Sequence, residues 1–139
     1  MRTYLILIAV VLNICPETRA SDLSYVFAYE CNSVAINKGV VDICAIQWPE
    51  LASRSLTAYT AWTKRNSAKA NAAERTCAAQ LNELKPEEKE KKEYLQKKLN
   101  ELTHEILENF KASLASEGIS ACNKALGQLE TGSLGIDFR

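Results

Sequence analysis

Four cysteines, Cys31, Cys44, Cys77 and Cys122, are the residues best suited to chemistry, and that chemistry is disulfide formation. None stands in a C-x-x-C pair, and the single His104 has no Cys or His neighbour at ligand spacing. The patterns for zinc binding and thioredoxin-like exchange are therefore missing, and an even cysteine count argues against an unpaired catalytic thiol. Glu101 and Glu105 stand at i,i+4 beside His104, where an acid-base group could be drawn. It has no second His, nucleophile motif or Gly-rich loop to act with. No P-loop, Rossmann fingerprint, G-x-S-x-G or N-x-[ST] acceptor occurs. The sequence thus predicts no catalytic residues, no metal and no cofactor.

A second group has the composition of a docking surface. Tyr59, Trp62, Lys64, Arg65 and Asn66 place aromatic, basic and amide side chains within two helical turns, and Trp and Arg dominate binding hot spots. The competing reading makes Tyr59 and Trp62 core residues, with Lys64 and Arg65 a solvated edge.

The elements that would position these groups are helical. Tyr59, Trp62, Asn66, Ala70, Ala73, Cys77, Leu81 and Leu84 recur at steps of three and four, which puts them on one stripe of a helix from about Pro49 to Leu84. Leu95, Leu99, Leu102, Ile106, Phe110 and Leu114 repeat the pattern after Pro86, behind a charged face with i,i+4 pairs Glu87/Lys91, Glu88/Lys92 and Glu93/Lys97. The Leu84-Lys85-Pro86 junction is short, and Pro86 pushes its predecessor out of α geometry, so the two helices should form a long antiparallel hairpin. Gly118 marks the reversal into a last helix lined by Ile119, Cys122, Leu126 and Leu129. An earlier helix should begin near Asp22, carrying Leu23, Phe27, Cys31 and Val34 on one face. Gly39 either lies inside it, costing about 1 kcal/mol relative to Ala, or marks a break. The fold class is all-α: a small helical bundle stapled by disulfides.

Residues 1–20 read differently. Arg2, the apolar run Tyr4–Leu12 and the small residues Thr18 and Ala20 have the three-part layout of a secretory signal cut after Ala20. Cys15 falls within it; Ile14 before it is not the small residue that a lipid-anchored signal requires. Residues 21–132 are then one helical domain, and 133–139 a tail whose Leu134, Ile136 and Phe138 either dock on the core or serve a partner. Removing Arg2, Glu17 and Arg19 from a chain with 17 basic and 17 acidic residues leaves a charge of −1. A surface so balanced offers no electrostatic handle for nucleic acid or an anionic membrane. The expected location is the periplasm or the extracellular space, where disulfides form and persist.

Helical rise limits which cysteines can meet. In an antiparallel hairpin Cys77 lies beside Glu93, whereas Cys122, one turn past Gly118, lies near Ser113; the two would stand about 30 Å apart. A disulfide needs Cα atoms within about 7 Å. Cys44 shares an end with Cys122, which predicts Cys44–Cys122 and, by elimination, Cys31–Cys77. Cys31–Cys44 with Cys77–Cys122 stays open, because a break in the second helix would permit it.

The order Cys31, Cys44-Ala45, Leu56 and Tyr59 resembles the C…CA…L…Y spacing of small exported bacterial lysozyme inhibitors. The likeness covers about a quarter of the mature chain and lacks that family's Leu-Asn pair. It would imply inhibition of lysozyme and transfers no inhibitory residue. The leading expectation is a non-enzymatic exported protein that binds another protein or itself. A carrier of small apolar ligands, with a cavity lined by Trp62, Leu99, Leu102, Ile106 and Phe110, is the alternative.

Overall fold

The computed structural model describes residues 25–132 and Asp137. The expected signal peptide, the helix start at Asp22 and the tail residues Leu134, Ile136 and Phe138 lie outside them. The described chain forms four α-helices, α1 (Tyr25–Gln47), α2 (Ala52–Asn82), α3 (Lys89–Glu117) and α4 (Ile119–Thr131). Short 3-10 turns at Pro49–Leu51 and Pro86–Glu88 lead into α2 and α3. Each begins with proline, whose fixed φ suits a first turn and whose missing N–H would have had no helical partner there. This is the all-α, disulfide-stapled bundle that the apolar periodicity predicts.

The turn after Asn82 reverses the chain, but the two long arms do not make the main contact of the bundle. Around the bundle the neighbours are α1 with α2, α2 with α4, α4 with α3 and α3 with α1, so α2 and α3 face each other across a diagonal. The α1 helix carries the largest share of the packing. Its Ala28 and Cys31 join Cys77, Leu99 and Leu102 in one core cluster. Val41 joins Ala58, Trp62, Ala70, Leu126 and Leu129 in a second. Cys44 joins Phe110, Cys122 and Ala125 in a third. Two disulfides run out from the same helix, Cys31–Cys77 to α2 and Cys44–Cys122 to α4, with Cα separations of 5.7 and 5.6 Å.

Two backbone details let α1 hold this position. Gly39 lies within the helix and does not break it: a Cβ there would stand 2.9 Å from both Leu107 methyl carbons, so the missing side chain admits the α3 leucine. The irregular residue is Asn32, whose φ of −133° and ψ of 24° kink the helix. Its amide donates to Thr103 Oγ1 at 2.7 Å, anchoring the kink to α3.

The charged face of α3 departs from its expected ion pairs. Pro86–Glu88 is a 3-10 turn, so Glu87 and Glu88 precede the α register that the i,i+4 rule assumes. The Glu88 carboxylate accepts from the Lys85 backbone N–H at 3.1 Å, which pulls its pKa below the ordinary range. Lys91 then approaches Glu88, Lys89 approaches Glu93, and Lys97 approaches Glu101. All are exposed pairs, worth about 0.2–1 kcal/mol at most.

The Gly39 contact yields a test. Gly39→Val should lower stability by about 1–3 kcal/mol through overpacking against Leu107, measured by urea unfolding under oxidising conditions. Leu107→Ala in the same chain should recover part of the loss. A midpoint that is unchanged in Gly39→Val and not raised by adding Leu107→Ala would mean that α1 and α3 do not approach as described.

Candidate functional site

The most distinctive polar arrangement lies where α1, α2, α4 and the tail converge. The stripe of α2 presents Trp62 and Asn66 to α1; both are essentially fully buried, and Tyr59 stacks on Trp62 with ring centroids 6.2 Å apart. From α1, Asn37, also buried, donates to the Tyr29 hydroxyl at 2.7 Å, and Trp62 donates to the same oxygen. Burial raises the Tyr29 pKa well above that of a free phenol, against these two hydrogen bonds, which favour the phenolate. Tyr29 therefore stays neutral throughout the physiological range and serves as a structural hydrogen-bonding group.

Asn66 continues the network outward. Its amide donates to the Trp62 carbonyl at 3.0 Å and to Asp137 Oδ1 at 2.7 Å. The Arg65 guanidinium grips the same carboxylate, Nε to Oδ2 at 2.8 Å and Nη2 to Oδ1 at 3.2 Å. It also caps the end of α4, donating to the Leu129 carbonyl at 2.6 Å and the Glu130 carbonyl at 2.9 Å. Gly132 makes room for this: its φ of +72° is a left-handed helix stop, and any side chain there would collide with the Asp137 carboxylate. Hydrogen bonding from Arg65 holds the Asp137 pKa below the ordinary range, with Asn66 and the charges of Arg65 and Lys69 adding to it against desolvation.

A second arginine also ties α4 to α2, reaching from the last turn of α4 back to Asn123. Arg54 donates from Nε and Nη2 to the two oxygens of Glu130 at 2.8 and 2.9 Å, and from Nη1 to Asn123 Oδ1 at 2.6 Å. The planar guanidinium suits this bidentate geometry. The Arg54 hydrogen bonds lower the Glu130 pKa, and Glu130 raises that of Arg54 in turn.

The predicted patch Tyr59, Trp62, Lys64, Arg65 and Asn66 is thus divided. Trp62 and Asn66 belong to the core, Tyr59 is half-buried against it, Arg65 serves α4 and the tail, and Lys64 is exposed. These five residues do not make one docking surface, because Trp62 and Asn66 sit on the α2 stripe that faces α1. Tyr29, Asn37, Arg54, Glu130 and Asp137 were not singled out from the sequence. The available signal was Asn66 itself, a polar residue on an apolar stripe, which needs buried partners.

The remaining candidates are separated. His104, Glu101 and Glu105 lie on the exposed face of α3, where Glu101 approaches Lys98 and Glu105 accepts from the Tyr25 hydroxyl. Trp62, Leu99, Leu102, Ile106 and Phe110, expected to line a ligand cavity, are distributed over three core clusters. Among the described residues no group of three or more His, Cys, Asp or Glu could hold a metal ion, and no helix is long and apolar enough to cross a membrane. No protein-family model, curated protein or solved structure matches this chain.

The carboxylate contacts set the acid response. Asp137 and Glu130 have lowered folded-state pKa values, so their stabilisation is complete above the ordinary carboxylate range, about pH 4, and is lost as pH falls through the lowered values. The melting temperature should be flat from about pH 8 to 5 in this respect and fall towards pH 2. In Asp137→Asn the fall should be smaller, because the Asp137 protonation is gone while those of the other carboxylates held below their ordinary range, Glu130, Glu88 and Glu108, remain. An equal acid response in the two proteins would show that the Arg65–Asp137 contact contributes nothing in solution.

Proposed function

We propose that this chain is a non-enzymatic, exported helical scaffold that acts by binding another protein or itself. The observation that carries the proposal is the exposure of two large aliphatic side chains beside the α1–α2 turn, Ile46 at 79% and Leu56 at 69%. Isolated apolar residues are common on protein surfaces. These two flank one turn, and Ile119, 37% exposed, lies at the same end of the bundle, three residues before Cys122. The Cys44–Cys122 bond and the cluster of Phe110, Trp48, Leu51 and Leu114 hold that end in place. A rigid apolar end loses little conformational freedom when a partner covers it. Export is supported by the two disulfides, which persist in oxidising compartments, and by the signal-like layout of residues 1–20.

The test is chemical cross-linking of the oxidised protein in the exported fraction of its source, alone and as Ile46→Glu and Leu56→Glu. The wild-type protein should give discrete partner or self cross-links, reduced at least tenfold in both variants. Their melting temperatures should stay close to wild type, because neither side chain contributes to the core. Undiminished cross-linking by two folded variants would remove the apolar end from the function.

A further inference from the structure

We propose that Cys31–Cys77 is a redox-exchangeable bond: a small dithiol opens it in the folded protein, and its opening frees residues 25–31 of α1 about the kink at Asn32, while Cys44–Cys122 keeps the rest of the bundle closed. The proposal does not depend on the reading of the apolar end at Ile46 and Leu56.

The two disulfides differ in depth. Cys44 and Cys122 are both 0% exposed, and the neighbours of Cys122 along its helix, Ala121, Ala125 and Leu126, are buried with it. Cys31 and Cys77 are 4% and 9% exposed. Cys77 lies near the end of α2 between the exposed Thr76 and Ala78, and Glu30 beside Cys31 is exposed as well. Thiol–disulfide exchange needs a thiolate at the sulfur, so access ranks the two bonds. A dithiol thiolate that attacks Cys77 Sγ forms a mixed disulfide and displaces Cys31 as a thiolate, which takes up a proton. The second thiolate of the dithiol then attacks its own sulfur in that mixed disulfide, closing to a cyclic disulfide and releasing Cys77 as a thiol. Two electrons and two protons pass from the dithiol to the cysteine pair.

The backbone supplies the point about which the freed part turns. Asn32 follows Cys31 directly and leaves helical geometry, and its amide bond to Thr103 fixes that point on α3. Beyond the kink, Ile36, Val41 and Cys44 stay in the core, and Leu107 fills the place opposite Gly39. Before the kink, Ala28 and Cys31 belong with Cys77, Leu99 and Leu102 to a cluster that contains no α4 residue, whereas the other two clusters both hold α4. Once the bond is open, residues 25–31 keep only noncovalent ties. Among these are the Tyr25 hydroxyl to Glu105 and the Tyr29 hydroxyl, which accepts from the Asn37 amide at 2.7 Å. A segment held in this way opens locally, without global unfolding.

The experiment follows reduction of the folded protein. Oxidised protein labelled with ¹⁵N is treated with dithiothreitol under native conditions, its thiols are trapped with iodoacetamide, and the labelled cysteines are mapped by mass spectrometry. A two-thiol species labelled on Cys31 and Cys77 should accumulate, formed at least tenfold faster than Cys44–Cys122 is lost. In that species the side-chain amide hydrogens of Asn37 should exchange with solvent at least tenfold faster than in the oxidised protein, because Tyr29 no longer covers them. The backbone amides of α4 should change by less than twofold. Folded Cys31→Ala/Cys77→Ala protein should show the same pattern without reductant, which separates release of the segment from the bulk of the alkyl groups. Opening of Cys44–Cys122 first, opening of both bonds together, or resistance of both until the protein unfolds would overturn the proposal. So would unchanged Asn37 exchange in either two-thiol or alanine form, or loss of α4 protection along with it.

Discussion

The structure depends on fastening one helix at two points. Cys31 and Cys44 stand 13 residues apart on α1, about 20 Å along a helix, and their bonds go to different partners, Cys77 on α2 and Cys122 on α4. Two separated anchors fix the position and the rotation of α1, which one anchor would leave free to pivot. Because α1 also lies beside α3, fixing it determines where α3 can pack, although no disulfide reaches that helix. The sequence separations of 46 and 78 residues correspond to about 4 kcal/mol of lost chain entropy for each bond in the loop-closure model. For a domain whose net stability is typically about 5–15 kcal/mol, the two bonds together decide whether the bundle persists.

With α1 fixed, Tyr29, Asn32 and Asn37 face polar partners. Asn37 and Tyr29 meet Trp62, and the network passes through Asn66 to Asp137 and Arg65, crossing from α1 to the carbonyls that end α4. A buried amide misplaced by one helical step would lose hydrogen bonds that water no longer supplies, at about 1–3 kcal/mol for each unsatisfied group. The network therefore selects one rotation of α1, α2 and α4, where an aliphatic interface would tolerate several. The buried hydroxyls of Ser33 and Ser55 have no hydrogen-bond partner among the described residues. Their small size is compatible with close approach of α1 and α2, and the structure gives no further reason for them.

The helices were legible because apolar spacing carries through the chain. The stripe from Leu95 to Leu114 predicted α3, the proline positions predicted the entries to α2 and α3, and hairpin geometry favoured the observed cysteine pairing. The order of helices around the bundle was not legible. Connectivity makes α2 and α3 an antiparallel pair in sequence, but it does not say which helix lies beside which, and α1 takes the place between them. The site was half legible for a related reason. Trp62 and Asn66 were visible as a pair, yet periodicity alone could not say whether their stripe faced water or α1. Asp137 was beyond reach, because its meaning depends on Arg65, 72 residues away in the chain, and no local pattern links them. Exposure of Ile46 and Leu56 was hidden for the opposite reason: composition reports that a residue is apolar, not that its helix leaves it uncovered.

The two-anchor account is tested most directly by mapping the cysteines in oxidised protein recovered from its own compartment. Proteolysis without reduction, under acidic conditions that prevent exchange, followed by mass spectrometry should give one linked peptide pair containing Cys31 with Cys77 and another containing Cys44 with Cys122. Recovery of Cys31 linked to Cys44, of Cys77 linked to Cys122, or of four free thiols would contradict it, because α1 would then lack its separate ties to α2 and α4.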